Sequence, residues 1–240
     1  MLNIHRSLII IFVFLITVSG CASFPGSLNM TCSSLKYRSI TKPGKQFDLV
    51  DFSVRLPNDS DRWCIASSNI GSLILFTHPL MGKTLDKPTP SVALNSIGMM
   101  AMEIKHNNKP FHNALNLKSF VENWINQGFG VEGGKTNLSV METKVKRFSL
   151  LKSDVKTTKN PFDVCVRYDY VMKEVDNTHA PNQILIIEDT GLVCQHQNLP
   201  SNLVLLGLSE RYTEGGRIDP KIFGQLKEKI GPDFFNSLRF

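Results

Sequence analysis

The sequence lacks the short motifs that mark common enzyme active sites. It contains no G-x-S-x-G nucleophile elbow, no H-E-x-x-H zinc motif, no Walker A motif and no G-x-G-x-x-G dinucleotide fingerprint. It also has no C-x-x-C pair and no Cys/His pair at zinc-binding spacing. We therefore predict no metal and no cofactor, assign no catalytic residue, and favour a non-enzymatic role.

The chain has no concentrated run of basic residues. Its 27 Lys and Arg residues outnumber 21 Asp and Glu residues, which gives a formal net charge of +6, but the basic residues are spread along the sequence. This distribution argues against a nucleic-acid partner. It predicts a mild attraction to anionic surfaces such as lipid headgroups or cell-wall polymers.

Long apolar runs are also scarce, and the most prominent one is "LIIIFVFLITV" from Leu8 to Val18. A transmembrane helix needs about 20 apolar residues, so this run is too short to span a bilayer stably. A polar and weakly basic segment that contains His5 and Arg6 precedes it, and small residues follow it. This layout is typical of a secretory signal peptide, which we place at residues 1–20.

The residues that follow the apolar run are Val18-Ser19-Gly20-Cys21. This "VSGC" stretch resembles the lipobox of bacterial lipoproteins. The resemblance implies cleavage before Cys21 and attachment of a diacylglycerol to its thiol, with acyl chains such as palmitate anchoring the protein in the bilayer. In that family an aspartate after the lipidated cysteine favours the inner membrane. Because Ala22 stands here, the resemblance implies the outer membrane, facing the periplasm.

Composition divides the remaining chain into a linker and one domain. Residues 21–45 are rich in Ser, Thr, Pro and Gly, and we interpret them as a lipidated flexible tether. Residues 46–240 are long enough for a single domain with a sizeable core.

Alternating apolar residues predict about seven or eight strands. In "FDLVDFSVRLP", Phe52, Val54 and Leu56 share one face. The segment "SVALNSIGMMAMEIK" reads as a long strand that is bulged at Gly98, and we interpret the Glu188-Asp189 pair as part of a turn or bulge.

Two helices are predicted from 3.6-residue periodicity. The first lies in "NLKSFVENWINQGFG", with Asn116 as its N-cap and Gly128 just past its end. The second follows Asp219 near the end of the chain, where the Gly231-Pro232 pair predicts its end.

Sequential strands with few helices favour an α+β fold. We predict a mainly antiparallel sheet of about seven strands with a mid-chain helix and a C-terminal helix packed on it. The stretch "FSVRLPNDSDRWCIAS", the mid-chain helix and the terminal "FFNSLRF" resemble in layout the PsbP-like fold. That fold is shared by photosystem assembly proteins, a nuclear-import regulator and bacterial envelope lipoproteins. The resemblance implies a non-catalytic domain that docks proteins or small ligands.

The chain has five cysteines, and assigning Cys21 to the lipid leaves four for an oxidising periplasm. The segments "FDVCVRYDYVMKEV" and "QILIIEDTGLVCQHQ" are predicted to pair as antiparallel strands. This pairing places Cys165 directly opposite Cys194. A one-residue slip would break both this pairing and the shared apolar face, so we predict a Cys165–Cys194 disulfide. Cys32 and Cys64 are then the two remaining cysteines, and by elimination they are predicted to form a second disulfide. The alternative for Cys165 and Cys194 is two buried free thiols.

Several residues are candidates for catalysis or ligand binding. Ser209 and Arg211 share one strand face and Glu210 the other, which is typical of a local salt-bridge network. A cleft that joined His196 or His78 to Ser209 and a carboxylate would favour an enzyme. The methionines at positions 99, 100 and 102 raise the alternative of a small apolar ligand. The histidines in question are His78, His106, His112, His179 and His196.

The sequence therefore favours a lipid-anchored envelope protein, partnered with the bilayer through Cys21 and with an envelope protein. It would bind that partner or assist an assembly. The alternative is an envelope hydrolase or cell-wall-modifying enzyme with an unrecognised site.

Overall fold

The computed structural model describes ten ranges of the chain: residues 38–39, 44–58, 63–66, 73–77, 96–105, 110–128, 148–158, 164–175, 182–217 and 220–240. Within these ranges the fold is α+β, as predicted, with antiparallel strands and helices in the middle and at the end of the chain. No helix among them is both long enough and apolar enough to cross a bilayer.

The described strands form one large sheet and one small sheet. The large sheet has the order β1-β4-β5-β6-β10-β9-β8-β7, and β2 pairs with β3 in the small sheet. All of these neighbours are antiparallel. The strands are β1 (Arg38–Ser39), β2 (Gln46–Asp48), β3 (Ser53–Arg55), β4 (Cys64–Ala66), β5 (Leu73–Thr77), β6 (Ser96–Lys105), β7 (Phe148–Thr157), β8 (Cys165–Glu174), β9 (Leu185–Gln195) and β10 (Asn202–Thr213).

One helix, α1 (Ala114–Gly128), packs on the first side of the large sheet against β7 and β8. Its apolar stripe places Leu117, Val121 and Ile125 in a buried cluster with sheet residues such as Val166 and Val193. We call this side of the sheet the helix face. Burying each such side chain contributes about 1.5–3 kcal/mol.

The start of α1 differs from the prediction. The side chain of Asn113, rather than that of Asn116, caps the helix, because its Oδ1 accepts the backbone N–H of Asn116 at 2.9 Å. Three further residues, beginning with Ala114, therefore belong to the helix.

The C-terminal segment covers the opposite side of the sheet, which we call the C-terminal face. It consists of α2 (Pro220–Gln225), a π turn (Leu226–Ile230) and α3 (Gly231–Phe235). Their apolar side chains pack with Leu192 and Leu206 of the sheet. Phe52, Val54 and Leu56 join the same cluster, which confirms that they share a buried face.

The predicted helix end at Gly231-Pro232 is wrong, because the chain continues helically to Phe235. Proline has no N–H and clashes with the carbonyl four residues earlier in a regular α-helix. The wider turn before it accommodates this, with the Gly231 N–H bonded to the Leu226 carbonyl.

Two predicted irregularities in the strands are also wrong. Gly98 lies in an unbroken register, opposite Ser209 on one side and Thr77 on the other. Glu188 and Asp189 lie inside β9 rather than in a turn. A bulge does occur in β7, between Leu150 and Lys152.

Candidate functional site

The central strands β8, β9 and β10 carry buried polar side chains on both faces of the large sheet. On the helix face, the most buried of these are Asp189, Glu174 and Arg211, each with 5 % or less of its surface exposed. Burying charged groups costs free energy unless they are paired. Their arrangement is therefore the first candidate for a functional site.

Asp189 lies between two tyrosines of the neighbouring strand. Tyr170 is directly opposite it, and the hydroxyl groups of Tyr168 and Tyr170 both hydrogen-bond to the Asp189 carboxyl group. The two tyrosine rings stack with their centroids 5.8 Å apart. Burial raises the pKa of the Asp189 carboxyl group from 3.8 to about 7, against the lowering effect of the two hydroxyl groups.

Two glycines make room for the Tyr168 side chain. Gly191 lies opposite Tyr168, and Gly207 lies opposite Gly191 on the next strand. A Cβ atom on Gly191 would be 2.4 Å from the Tyr168 hydroxyl oxygen and 2.3 Å from the Leu206 carbonyl oxygen. The tyrosine can therefore lie across β9 only because position 191 has no side chain.

An ion pair lies further along the same face. Arg211 Nη2 donates to Glu174 Oε2 at 2.8 Å, and the two side chains are 4 % and 0 % exposed. This confirms that Arg211 and Glu210 project to opposite faces and that the charged end of β10 forms local ion pairs.

A second polar cluster occupies the C-terminal face. Arg217 pairs there with Glu188, at 3.2 Å between Nη1 and Oε1, and with Glu210. The Tyr212 hydroxyl donates to Glu188 at 2.6 Å, and the Arg217 guanidinium lies 4.7 Å from the centre of the Tyr212 ring. Burial and the Glu188 carboxylate raise the pKa of Tyr212. These acidic groups are therefore satisfied within the chain.

The structure contains the predicted Cys165–Cys194 disulfide. The two cysteines are directly opposed in β8 and β9, with their Cα atoms 4.2 Å apart. The whole β8–β9 register is the one predicted, including the pairing of Val166 with Val193. Cys21 and Cys32 lie outside the described residues, and the side chain of Cys64 does as well, so lipidation and a Cys32–Cys64 bond stay predictions.

His196 is held in a structural role. Its Nδ1 accepts the backbone N–H groups of Asn198 and Leu199 at 3.1 and 3.0 Å, so Nε2 carries the hydrogen and donates to the Asp51 carbonyl at 2.7 Å. The Phe240 ring packs against it, with centroids 4.7 Å apart. Both ring nitrogens are thus occupied.

The structure does not join His196 to Ser209. Ser209 is directly opposite Asp189 on the helix face, so a carboxyl group does neighbour this serine. His196 follows Asp189 by seven residues. Because side chains alternate between the two faces of a strand, this odd spacing places His196 toward the opposite face from Asp189, about 23 Å away along the strand. His78, His106 and His179 lie outside the described residues, whereas His112 is exposed before α1.

The three methionines do not form one ligand-binding cluster. Met99 packs in the C-terminal-face core, whereas Met100 and Met102 pack in the helix-face core. In the described ranges, no three His, Cys, Asp or Glu side chains come together in a group able to hold a metal ion.

Sequence reasoning did not single out Tyr168, Tyr170 or Glu174 as members of a buried polar cluster. Their two-residue spacing in β8, on the face that also carries Val166 and Met172, was the available signal. Chemically, the cluster can take up or release a proton at Asp189, whose buried Oδ1 has no hydrogen-bond partner among the described residues.

No family model matches the sequence, and no curated protein matches it. Solved structures with some similarity include the Ran-binding protein Mog1p of Saccharomyces cerevisiae. It is 7% identical, with a TM-score of 0.39 over 83% of this chain and 96% of that chain. LpqN of Mycobacterium tuberculosis, which is involved in cell envelope biogenesis, is 9% identical, with a TM-score of 0.30 over 82% of this chain and 88% of that chain. These scores are too low to carry an inference about function, and the PsbP-like resemblance stays a prediction.

Proposed function

We propose that this chain is a lipid-anchored lipoprotein of the bacterial cell envelope that acts without catalysis, by binding a protein partner or assisting an envelope assembly. The observation that carries the proposal is the "VSGC" stretch directly after an apolar run of signal-peptide length. In this proposal residues 1–20 are the leader, residues 21–45 the tether and residues 46–240 the domain. Ala22 supports the outer membrane as the destination.

Two features of the domain support this proposal. A buried disulfide suits an oxidising compartment such as the periplasm. In addition, two glutamates of the central strands are bonded within the chain, Glu174 to Arg211 and Glu188 to Tyr212. Such groups stabilise a scaffold, and a scaffold can present a binding surface.

Lipidation is tested by changing Cys21 to Ser. We expect the unaltered protein to sediment with membranes and to carry the mass of its acyl chains on Cys21. A single acyl chain binds a bilayer reversibly, whereas two or three acyl chains anchor a protein stably. The C21S variant should leave the membrane fraction. Ser19→Ala is the matched control, since it keeps a small residue before the cysteine and should remain in the pellet.

An unmodified Cys21 thiol in the native protein, or a C21S variant that stays in the pellet, contradicts the anchor. The binding role is tested separately by in-cell crosslinking of the membrane fraction. A reproducible envelope partner is expected. A chain that crosslinks to nothing but itself contradicts that part of the proposal.

A further inference from the structure

One exposed surface of the domain is distinctly basic. It lies on the C-terminal face of the sheet, over β7 and β8 and beside the π turn. We call it the basic face and define it by Lys152, Lys156, Arg167, Lys173 and Lys227.

The strand register places these side chains together. Lys156 is directly opposite Arg167, and Lys152 and Lys173 follow on the same side of their strands. Lys227 of the π turn reaches the same surface through its ion pair with Asp169. Like charges directly opposite each other destabilise a sheet. The Arg167 guanidinium also lies 5.6 Å from the centre of the Phe235 ring.

Two carboxylates reduce the positive charge of the basic face without neutralising it. Asp154 pairs with Lys156 at 2.5 Å, and Asp169 pairs with Lys227. The five basic residues therefore outnumber the two acidic residues on this surface by three. Lys152 and Arg167 are exposed residues, and the Lys156 side chain is 74% exposed, so this surface is open to solvent.

Exposed charges on other elements of the described chain are balanced. The β2–β3 hairpin carries Lys45 and Arg55 with Asp48 and Asp51, and α1 pairs Lys118 with Glu122. In the C-terminal segment, Lys221 and Lys229 are matched by Glu228 and Asp233. The positive excess is thus local to the basic face.

An exposed leucine adjoins this surface. Leu151 is the extra residue of the β7 bulge, and 56% of its surface is exposed. It precedes Lys152 directly. A large apolar side chain beside several cations is typical of surfaces that rest on lipid headgroups and insert shallowly.

We propose that the basic face docks on an anionic phospholipid surface and sets the orientation of the tethered domain. The proposal rests on the lipid anchor of the proposed function, which keeps the domain close to the bilayer. Each basic residue near an anionic surface strengthens binding about fivefold. The excess charge and Leu151 then favour this side of the domain over the balanced surfaces.

The test uses the full lipidated chain reconstituted into vesicles of phosphatidylcholine alone or of phosphatidylcholine with phosphatidylglycerol. Amine acetylation is followed at each lysine by mass spectrometry. We expect Lys173 and Lys227 to react severalfold more slowly in the anionic vesicles, with Lys118 and Lys221 unchanged. High salt should remove the protection, since the Debye length falls to about 3 Å at 1 M.

A double variant, Lys152→Gln with Lys156→Gln, should weaken docking about 25-fold and abolish protection at Lys173 and Lys227. The charge-matched control, Lys221→Gln with Lys229→Gln, should retain it. Equal acetylation rates in both vesicle types would overturn the proposal, as would protection that persists in the first variant. If Lys173 and Lys227 are protected only when an acidic protein is added, the basic face binds that protein and the lipid proposal is wrong.

Vesicle flotation distinguishes failure of the lipid anchor from failure of the docking proposal. A chain that does not float with phosphatidylcholine vesicles lacks the anchor, and both proposals then fail. A chain that floats with both vesicle types but shows no lysine protection is anchored without docking.

Discussion

Asp189 shows how the ionisation of one carboxyl group depends on its neighbours in a sheet. Burial favours its neutral form, and the hydroxyl groups of Tyr168 and Tyr170 favour its charged form. Because burial is the stronger effect, the folded protein holds a proton on Asp189 up to about pH 7, whereas the unfolded chain releases it near pH 3.8.

The folded state therefore binds the Asp189 proton more tightly, and its stability falls as pH rises between these two values. The loss is about 1.4 kcal/mol per pH unit, and about 4 kcal/mol in total. In Asp189→Asn the loss is absent. We expect the free energy of unfolding of this variant, minus that of the unaltered protein, to rise from pH 4 to pH 7 and then level off.

Urea unfolding at a series of pH values measures this difference. Asp154→Asn is the control, because the hydrogen bond from Lys156 lowers the pKa of exposed Asp154, and its removal cannot produce the same rise. A difference between Asp189→Asn and the unaltered protein that is constant with pH would show that Asp189 ionises normally.

Gly191 is the second residue on which the polar cluster depends. Gly191→Ala should lower the free energy of unfolding by about 1–3 kcal/mol, since its Cβ would overlap the Leu206 carbonyl and the Tyr168 hydroxyl. Gly224→Ala is the matched control. No atom lies within 4 Å of a Cβ at that helical position, so it should stabilise the chain by about 0.5–1 kcal/mol. Thermal unfolding of both variants decides the point, and an unchanged Gly191→Ala protein would contradict it.

At the scale of elements, pairing between strands was more predictable than their ends. The β8–β9 register follows from the sequence, because only one alignment joins Cys165 to Cys194 and keeps Val166 opposite Val193. A turn or bulge is predicted at Glu188-Asp189 because these two adjacent acidic residues precede Thr190-Gly191. The neighbours of the two carboxyl groups, Tyr170 and Arg217, come from other parts of the chain, so local sequence could not show that the pair lies inside a strand.

Buried ion pairing between elements gives a further prediction. Arg211→Met would leave the Glu174 carboxylate buried without its guanidinium, and we expect a loss of about 3–5 kcal/mol in the free energy of unfolding. Replacing both residues by Met should cost less than the single change. The exposed Lys118–Glu122 pair is the control, where Lys118→Met should cost less than about 1 kcal/mol. If the double variant is less stable than Arg211→Met, the ion-pair explanation is wrong.

At the scale of the whole molecule, the α+β class and the placement of helices after and between strands were predictable from periodicity. The separate β2–β3 sheet was not, because "FDLVDFSVRLP" alternates like one strand. The π turn was not predicted either, since the Gly231-Pro232 pair normally ends a helix. Packing of Phe234 and Phe235 against the sheet keeps the chain helical past that pair.

The Cys165–Cys194 bond makes the stability of the whole domain depend on its redox environment. It closes a loop with a sequence separation of 29, and a loop of that length contributes about 3–4 kcal/mol through the unfolded state. Cys165→Ala with Cys194→Ala should lose that amount in urea unfolding. Dithiothreitol should destabilise the unaltered protein similarly. Any dithiothreitol effect that remains in the double variant reports the predicted Cys32–Cys64 bond, whereas equal stability of variant and unaltered protein would refute the contribution.

An isolated antiparallel bridge pairs Arg239, near the end of the chain, with Ser53 of β3, and this bridge has a mechanical consequence. Tension that enters the described chain at Arg38 meets β1 first, which is paired with β4 over only two residues. The load then passes to the small sheet, where two backbone hydrogen bonds of 2.8 and 3.0 Å clamp Ser53 to Arg239. β5 and the strands beyond it bear force only after that clamp opens, so a pull on the N-terminal side would be absorbed at the periphery before it reached the centre of the protein.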